Sequence, residues 1–106
     1  MRTIVDQRYL EEFVGAIRRH FPGCPPQEAG TIARHACLRG SGRVGRSAAA
    51  KDFAPAAVEL AVRAHVRHTQ TRYDRLLARG VARDEARAEV GADLAEVMER
   101  WLLPSE

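Results

Sequence analysis

Apolar residues recur along this chain at helical intervals, and no window alternates in the manner of a half-buried strand. Leu10, Phe13, Val14, Ile17 and Phe21 follow at steps of 3, 1, 3 and 4, which predicts an amphipathic helix opening after Thr3 and Asp6 and running to about His20. Pro22-Gly23 stops it, and Cys24-Pro25-Pro26 opens a second helix whose narrow stripe is Ala29, Ile32, Ala33, Ala36 and Cys37, with Gly40 at its end. The stretch from Asp52 to Gly80 reads as one long helix, capped by Asp52, with Pro55 in its first turn and Gly80 as the left-handed residue that ends it. Such a helix, about 25 residues and roughly 37 Å long, would carry the shorter segments along it. Val58, Val62, Val66, Thr69, Tyr73, Leu76 and Leu77 share its buried arc, His65 lies at the edge of that arc, and Glu59, Arg63, Arg67, Gln70 and Asp74 face water. Ala86, Val90, Leu94, Val97, Trp101 and Leu102 predict a last helix, with Asp84 and Glu85 in its first turn and Gly91 inviting a bend or a close contact. The expected fold is all-α, a compact single domain over residues 1–106 of about four helices packed along one long central helix.

Composition narrows the function classes. A chain of 106 residues, 45% hydrophobic and 29% charged, holds one globular core. No apolar run of membrane-spanning length occurs, and the opening MRTIVDQRYLEEF lacks the apolar centre of an export signal, so a cytoplasmic location without membrane contact is expected. Cys24 and Cys37 are read as free thiols, since two widely spaced cysteines make neither a disulfide framework nor a zinc site.

Charge is uneven along the chain. Residues 1–33 balance at zero, 34–52 carry +4, 53–81 carry +3 and 82–106 carry −4. The basic excess sits in RGSGRVGRSAAAKD, residues 39–52, and on a flank of the long helix where His68, Arg72, Arg75 and Arg79 follow at steps of 4, 3 and 4. Gly40, Gly42 and Gly45 spell the dinucleotide fingerprint, but a helix rather than a strand precedes them, so that reading fails. A weaker one survives: glycine amides form an anion concavity, and Arg39, Arg43, Arg46 and Lys51 reach phosphate oxygens. Joined to the helix flank, they predict a strip that contacts the backbone of DNA or RNA. The aromatic residues fall mostly at core positions, which leaves no stacking platform for single strands.

Other readings compete with it. Leu60, Ala64 and Ala78 on the outward side of the long helix offer a surface for an acidic protein partner or a homo-oligomer. A third reading makes His68 the general base of a phosphodiesterase or nuclease with Arg72 steadying phosphoryl charge, but no partner acid is evident and no catalytic residue is assigned. His65 and His68 lie three apart without a third ligand, so no metal and no cofactor are expected. Tyr73 and Asp74 read as structural: the tyrosine ring is buried and the carboxylate pairs with Arg83 or Arg87, a clasp with His65 that fixes the long helix against the last one.

The residues AHVRHTQTRYDRLLARGVARDEAR, 64–87, resemble the family catalogued as domain of unknown function 2293, through Ala64, His65, Arg67, His68, Thr71, Tyr73, Asp74, Leu76, Leu77, Gly80, Arg83, Ala86 and Arg87. The likeness extends over most of 34–102 and implies a small helical domain without an established activity. Gln70 stands where relatives often carry another histidine, and Ala82 where a capping Asp is common. The second departure implies a start to the last helix weaker by about 1 kcal/mol.

Overall fold

A computed structural model describes residues 7–39 and 53–104, with side chains in the first stretch described up to residue 36. Among these residues the fold is all-α with five helices: α1 Gln7–His20, α2 Pro26–Arg39, α3 Pro55–Gln70, α4 Tyr73–Ala78 and α5 Arg83–Leu102. None is long and apolar enough to cross a membrane.

The expected central helix is there, but shorter. α3 packs against all four others, and its 16 residues span about 24 Å rather than the full predicted length. The break falls at Thr71, whose backbone is extended at φ −130° and ψ 173°. Its hydroxyl donates to the Arg67 carbonyl and accepts the Tyr73 N–H at 3.2 Å. Hydroxyls near the backbone compete with helical hydrogen bonds in this way, so the Thr69-Gln70-Thr71 segment ends one helix and starts the next. The long-helix expectation is therefore corrected to two helices, and the bundle of four becomes five. Asp52, expected as the cap of α3, lies outside the described residues; the capping position is Ala54, with Pro55 in the first turn.

The end of α4 follows the sequence closely. Gly80 has φ +92°, its N–H donates to the Leu77 carbonyl, and the Val81 N–H reaches back to Leu76. These two bonds make a Schellman cap, completed by apolar contact of Val81 with the cluster that contains Leu76. Ala82 then begins α5 with no side-chain cap, as the missing Asp implies.

Two cores result. Phe13, Ala16, Ile17 and Phe21 of α1 and the following turn, Ala29, Ile32 and Ala33 of α2, and Val58, Val62 and Val66 of α3 meet Leu94, Val97, Met98 and Trp101 from the second half of α5. Tyr73 and Leu76 of α4 pack instead on Ala86 and Val90 from its first half. One helix thus holds both clusters. A β-carbon added at Gly91, between them, would meet no neighbouring atom within 4 Å, so neither the close contact nor any need for glycine arises there. Gly23 is the opposite case. Its N–H donates to the Trp101 carbonyl at 2.7 Å, satisfying one of the acceptors left open at the end of α5.

Candidate functional site

The expected cationic strip does not run as one line. Arg43, Arg46, Lys51 and the side chain of Arg39 lie outside the described residues, so the loop half of the site has no geometry here. On the helix half, the break at Thr71 puts His68 on α3, Arg72 in the joint and Arg75 and Arg79 on and after α4. The first two are also each held against a carboxylate. His68 Nδ1 lies 2.6 Å from Asp74 Oδ1, and Arg72 Nη2 donates to Glu89 Oε1 at 3.0 Å.

Arg75 and Arg79 are exposed, one helical turn apart, and no carboxylate pairs with either among the described residues. Arg83 and Arg87 match them on the first turns of α5, also exposed and without an acidic partner among the described residues. The expectation that Asp74 pairs with Arg83 or Arg87 is thus corrected. Asp74 is taken by His68 because the break folds α4 back toward the end of α3. Four arginines consequently bracket the Gly80 turn, two on each side. On α5, Glu85, Glu89, Asp93 and Glu96 follow at steps of 4, 4 and 3 along the other flank of the buried stripe, away from Arg83 and Arg87.

The clasp divides into separate parts. Tyr73 is buried, as expected, with the Arg67 guanidinium 5.7 Å over its ring and the His68 imidazole 5.6 Å away at its edge. This group ties the end of α3 to the start of α4. The link onward to α5 is Arg72–Glu89, which is half exposed on both sides and is worth about 0–1 kcal/mol. His65 belongs to neither part. It is buried at 8% exposure, not at an edge, and its Nε2 sits 2.6 Å from Glu28 Oε1 on α2, with the Trp101 ring 6.5 Å from its own. The tautomer with its proton on Nε2 donates to this carboxylate and leaves Nδ1, which is buried without a partner, as a bare lone pair. Glu28 escaped sequence reasoning because a first-turn acid is explained well enough by the helix dipole; only the packing of α2 on α3 gives it a second role.

The His68–Asp74 pair supplies an acid partner that the sequence did not reveal, with Asp74 orienting Nδ1 as in hydrolase triads. Both side chains are more than half exposed, however, and neither lines the grooves around Phe21 and Met98 or around Leu10 and Val14, so those grooves give the pair no substrate pocket among the described residues. Among the described residues no group of three or more His, Cys, Asp or Glu is placed to hold a metal ion.

Cys24 is a free thiol at 1% exposure, and burial, reinforced by the nearby Glu28 charge and opposed by Arg18, pushes its pKa up to about 11. In the folded state the neutral thiol persists above pH 9, where the unfolded one ionises, so stability falls as pH rises from about 9 toward 11. In a Cys37→Ser background, alkylation at pH 8 is expected to proceed only after urea unfolds the chain; labelling of the native protein at the free-thiol rate would contradict this burial.

Residues 16–102 fit the model of a family described as "Uncharacterized conserved protein (DUF2293)". No curated protein and no solved structure matches the chain.

Proposed function

The chain belongs to the DUF2293 family, and from that premise, which brings no activity with it, we propose that it binds nucleic acid through the phosphate backbone. The observation that carries the reading is the set of exposed arginines Arg75, Arg79, Arg83 and Arg87, none paired with a carboxylate among the described residues. Guanidinium groups left open to solvent fork onto phosphate oxygens without first breaking an internal ion pair. The Schellman cap on Gly80 fixes the backbone of the short turn that separates the two pairs. Arg43, Arg46 and Lys51, which lie outside the described residues, add phosphate contacts in this reading. With His68 and Arg72 each paired with a carboxylate, the turn replaces the helix flank as the centre of the site.

The four arginines around Gly80 by themselves contribute about −3.6 to the log–log salt slope on duplex DNA, hence roughly a hundredfold loss of affinity or more between about 50 and 200 mM salt, and contacts by Arg43 and Arg46 steepen it further. Fluorescence anisotropy with labelled duplex DNA, single-stranded DNA and RNA measures it. Replacing Arg79 and Arg83 by glutamine is expected to weaken binding to all sequences alike and flatten the slope by about 2, and Arg43 with Arg46 by about 1 to 2. No binding at low salt, or a slope unmoved by these replacements, would overturn the reading.

A further inference from the structure

His68 is held at one ring nitrogen and open at the other. Its Nδ1 lies 2.6 Å from Asp74 Oδ1, and the buried Tyr73 ring meets it edge-on with centroids 5.6 Å apart. The carboxylate accepts from Nδ1–H, which fixes the tautomer and leaves the lone pair on Nε2. Nε2 has no hydrogen-bond partner among the described residues, and the side chain is 53% exposed. An imidazole oriented at one nitrogen and bare at the other is what general-base catalysis requires. The break in the central helix creates this arrangement, because the Thr71 hydroxyl bonds to residues on both sides of the joint that brings Asp74 back to α3.

A polymer needs no deep pocket if its phosphates are held nearby. Arg75 follows Asp74 directly on α4 and is exposed, with no carboxylate partner among the described residues. The acid that orients the base and a guanidinium open to phosphate are therefore consecutive residues. A single oriented base suits a substrate that carries its own nucleophile, and RNA does so in the 2′-hydroxyl beside each phosphodiester, where DNA does not. We infer that His68 and Asp74 form a site that cleaves RNA by transesterification, an inference that rests on the nucleic-acid binding proposed above. Nε2 takes the proton of the 2′-hydroxyl, and the 2′-oxygen bonds to the adjacent phosphorus. The bond from phosphorus to the 5′-oxygen of the next nucleotide breaks; that oxygen leaves with the electron pair and receives the proton from His68 through solvent water. A 2′,3′-cyclic phosphate and a 5′-hydroxyl result, with no net change in protons and no co-reactant. Asp74 is a positioning residue, which sets the tautomer and offsets the charge of the imidazolium that forms. Arg75 meets the charge that develops on the phosphoryl oxygens.

Two measurements on the full chain separate binding from cleavage. Anisotropy with a labelled 2′-O-methyl RNA, which cannot react, reads binding alone, and gel analysis of the unmodified RNA of the same sequence reads cleavage. The unmodified strand is expected to yield ends with a 2′,3′-cyclic phosphate, and DNA of that sequence to stay whole. His68→Gln, at an exposed position, is expected to lower kcat at least about a hundredfold, with affinity for the methylated strand and the helical circular dichroism spectrum unchanged. Asp74→Asn is expected to lower kcat roughly tenfold or more at unchanged KM, and Asp74→Glu to recover part of that loss, as a purely structural role would not. Methylated RNA that binds while the unmodified strand stays whole would overturn this inference alone. Cleavage that survives His68→Gln, or that takes DNA as fast as RNA, would also overturn it. A protein that binds none of these strands would remove the binding reading and this inference together.

Discussion

Gly23→Ala is expected to cost about 3 kcal/mol or more of folding stability. A β-carbon at this position would lie 2.2 Å from the Leu103 carbonyl oxygen and 2.9 Å from that of Arg100, both backbone atoms that no rotamer change can move. The turn after α1 must therefore withdraw from the end of α5, and the Gly23 N–H to Trp101 carbonyl bond is lost with it. Two costs add: the strain of overpacking and an acceptor left unpaired at a helix end. Urea denaturation followed by circular dichroism should show a lowered midpoint with the slope unchanged. Gly91→Ala is the control, because open space around Gly91 leaves only the helix-propensity gain of about 1 kcal/mol. Equal responses at the two glycines would refute the close approach at Gly23.

Trp101→Ala should cost about 3–5 kcal/mol. The ring is 5% exposed in the larger core, where α5 meets α1, α2 and α3, and it packs beside the buried His65 imidazole. Its removal leaves a cavity and uncovers the Glu28–His65 pair, so part of the loss reflects a polar contact opened to water. This is the sole tryptophan, so the melt is read by circular dichroism instead of fluorescence. Trp101→Phe should recover part of the loss. A cost below about 1 kcal/mol would mean the second half of α5 is not the keystone of the core. Trp101 lies far along α5 from Arg83 and Arg87, so the fraction that remains folded should keep its affinity for nucleic acid.

Local chemistry carried much of the fold into view. The periodicity of Phe13, Ile17 and Phe21, of Val58, Val62 and Val66, and of Val90, Leu94 and Val97 marks buried faces in the sequence alone, since a helix has one stripe to bury and shows it every three or four residues. Gly80 and Pro55 mark an end and a start for the same local reason: one tolerates positive φ, the other lacks an N–H that a first turn does not use. The break at Thr71 was less legible because a threonine in an amphipathic pattern is compatible with a continuing helix; what decides is whether the following residues find a better core. Tyr73 and Leu76 do, on Ala86 and Val90.

The candidate site was legible as residue types and not as partners. Arginines at 75, 79, 83 and 87 could be counted from the sequence, but which of the nearby cations stay free depends on where the carboxylates of other helices arrive. Asp74 and Glu89 reached His68 and Arg72, and Glu28 reached His65 across 37 positions of chain. By itself the sequence determined the helical class, the buried faces, the turn at Gly80 and the reserve of basic charge, because each depends on neighbours within one or two helical turns. The tertiary structure alone decided the split of the central helix, the pairing of His65 with Glu28 and the glycine at which two backbones meet. Those follow from contacts between residues distant in the chain, where several local solutions are nearly equal in energy and packing selects among them.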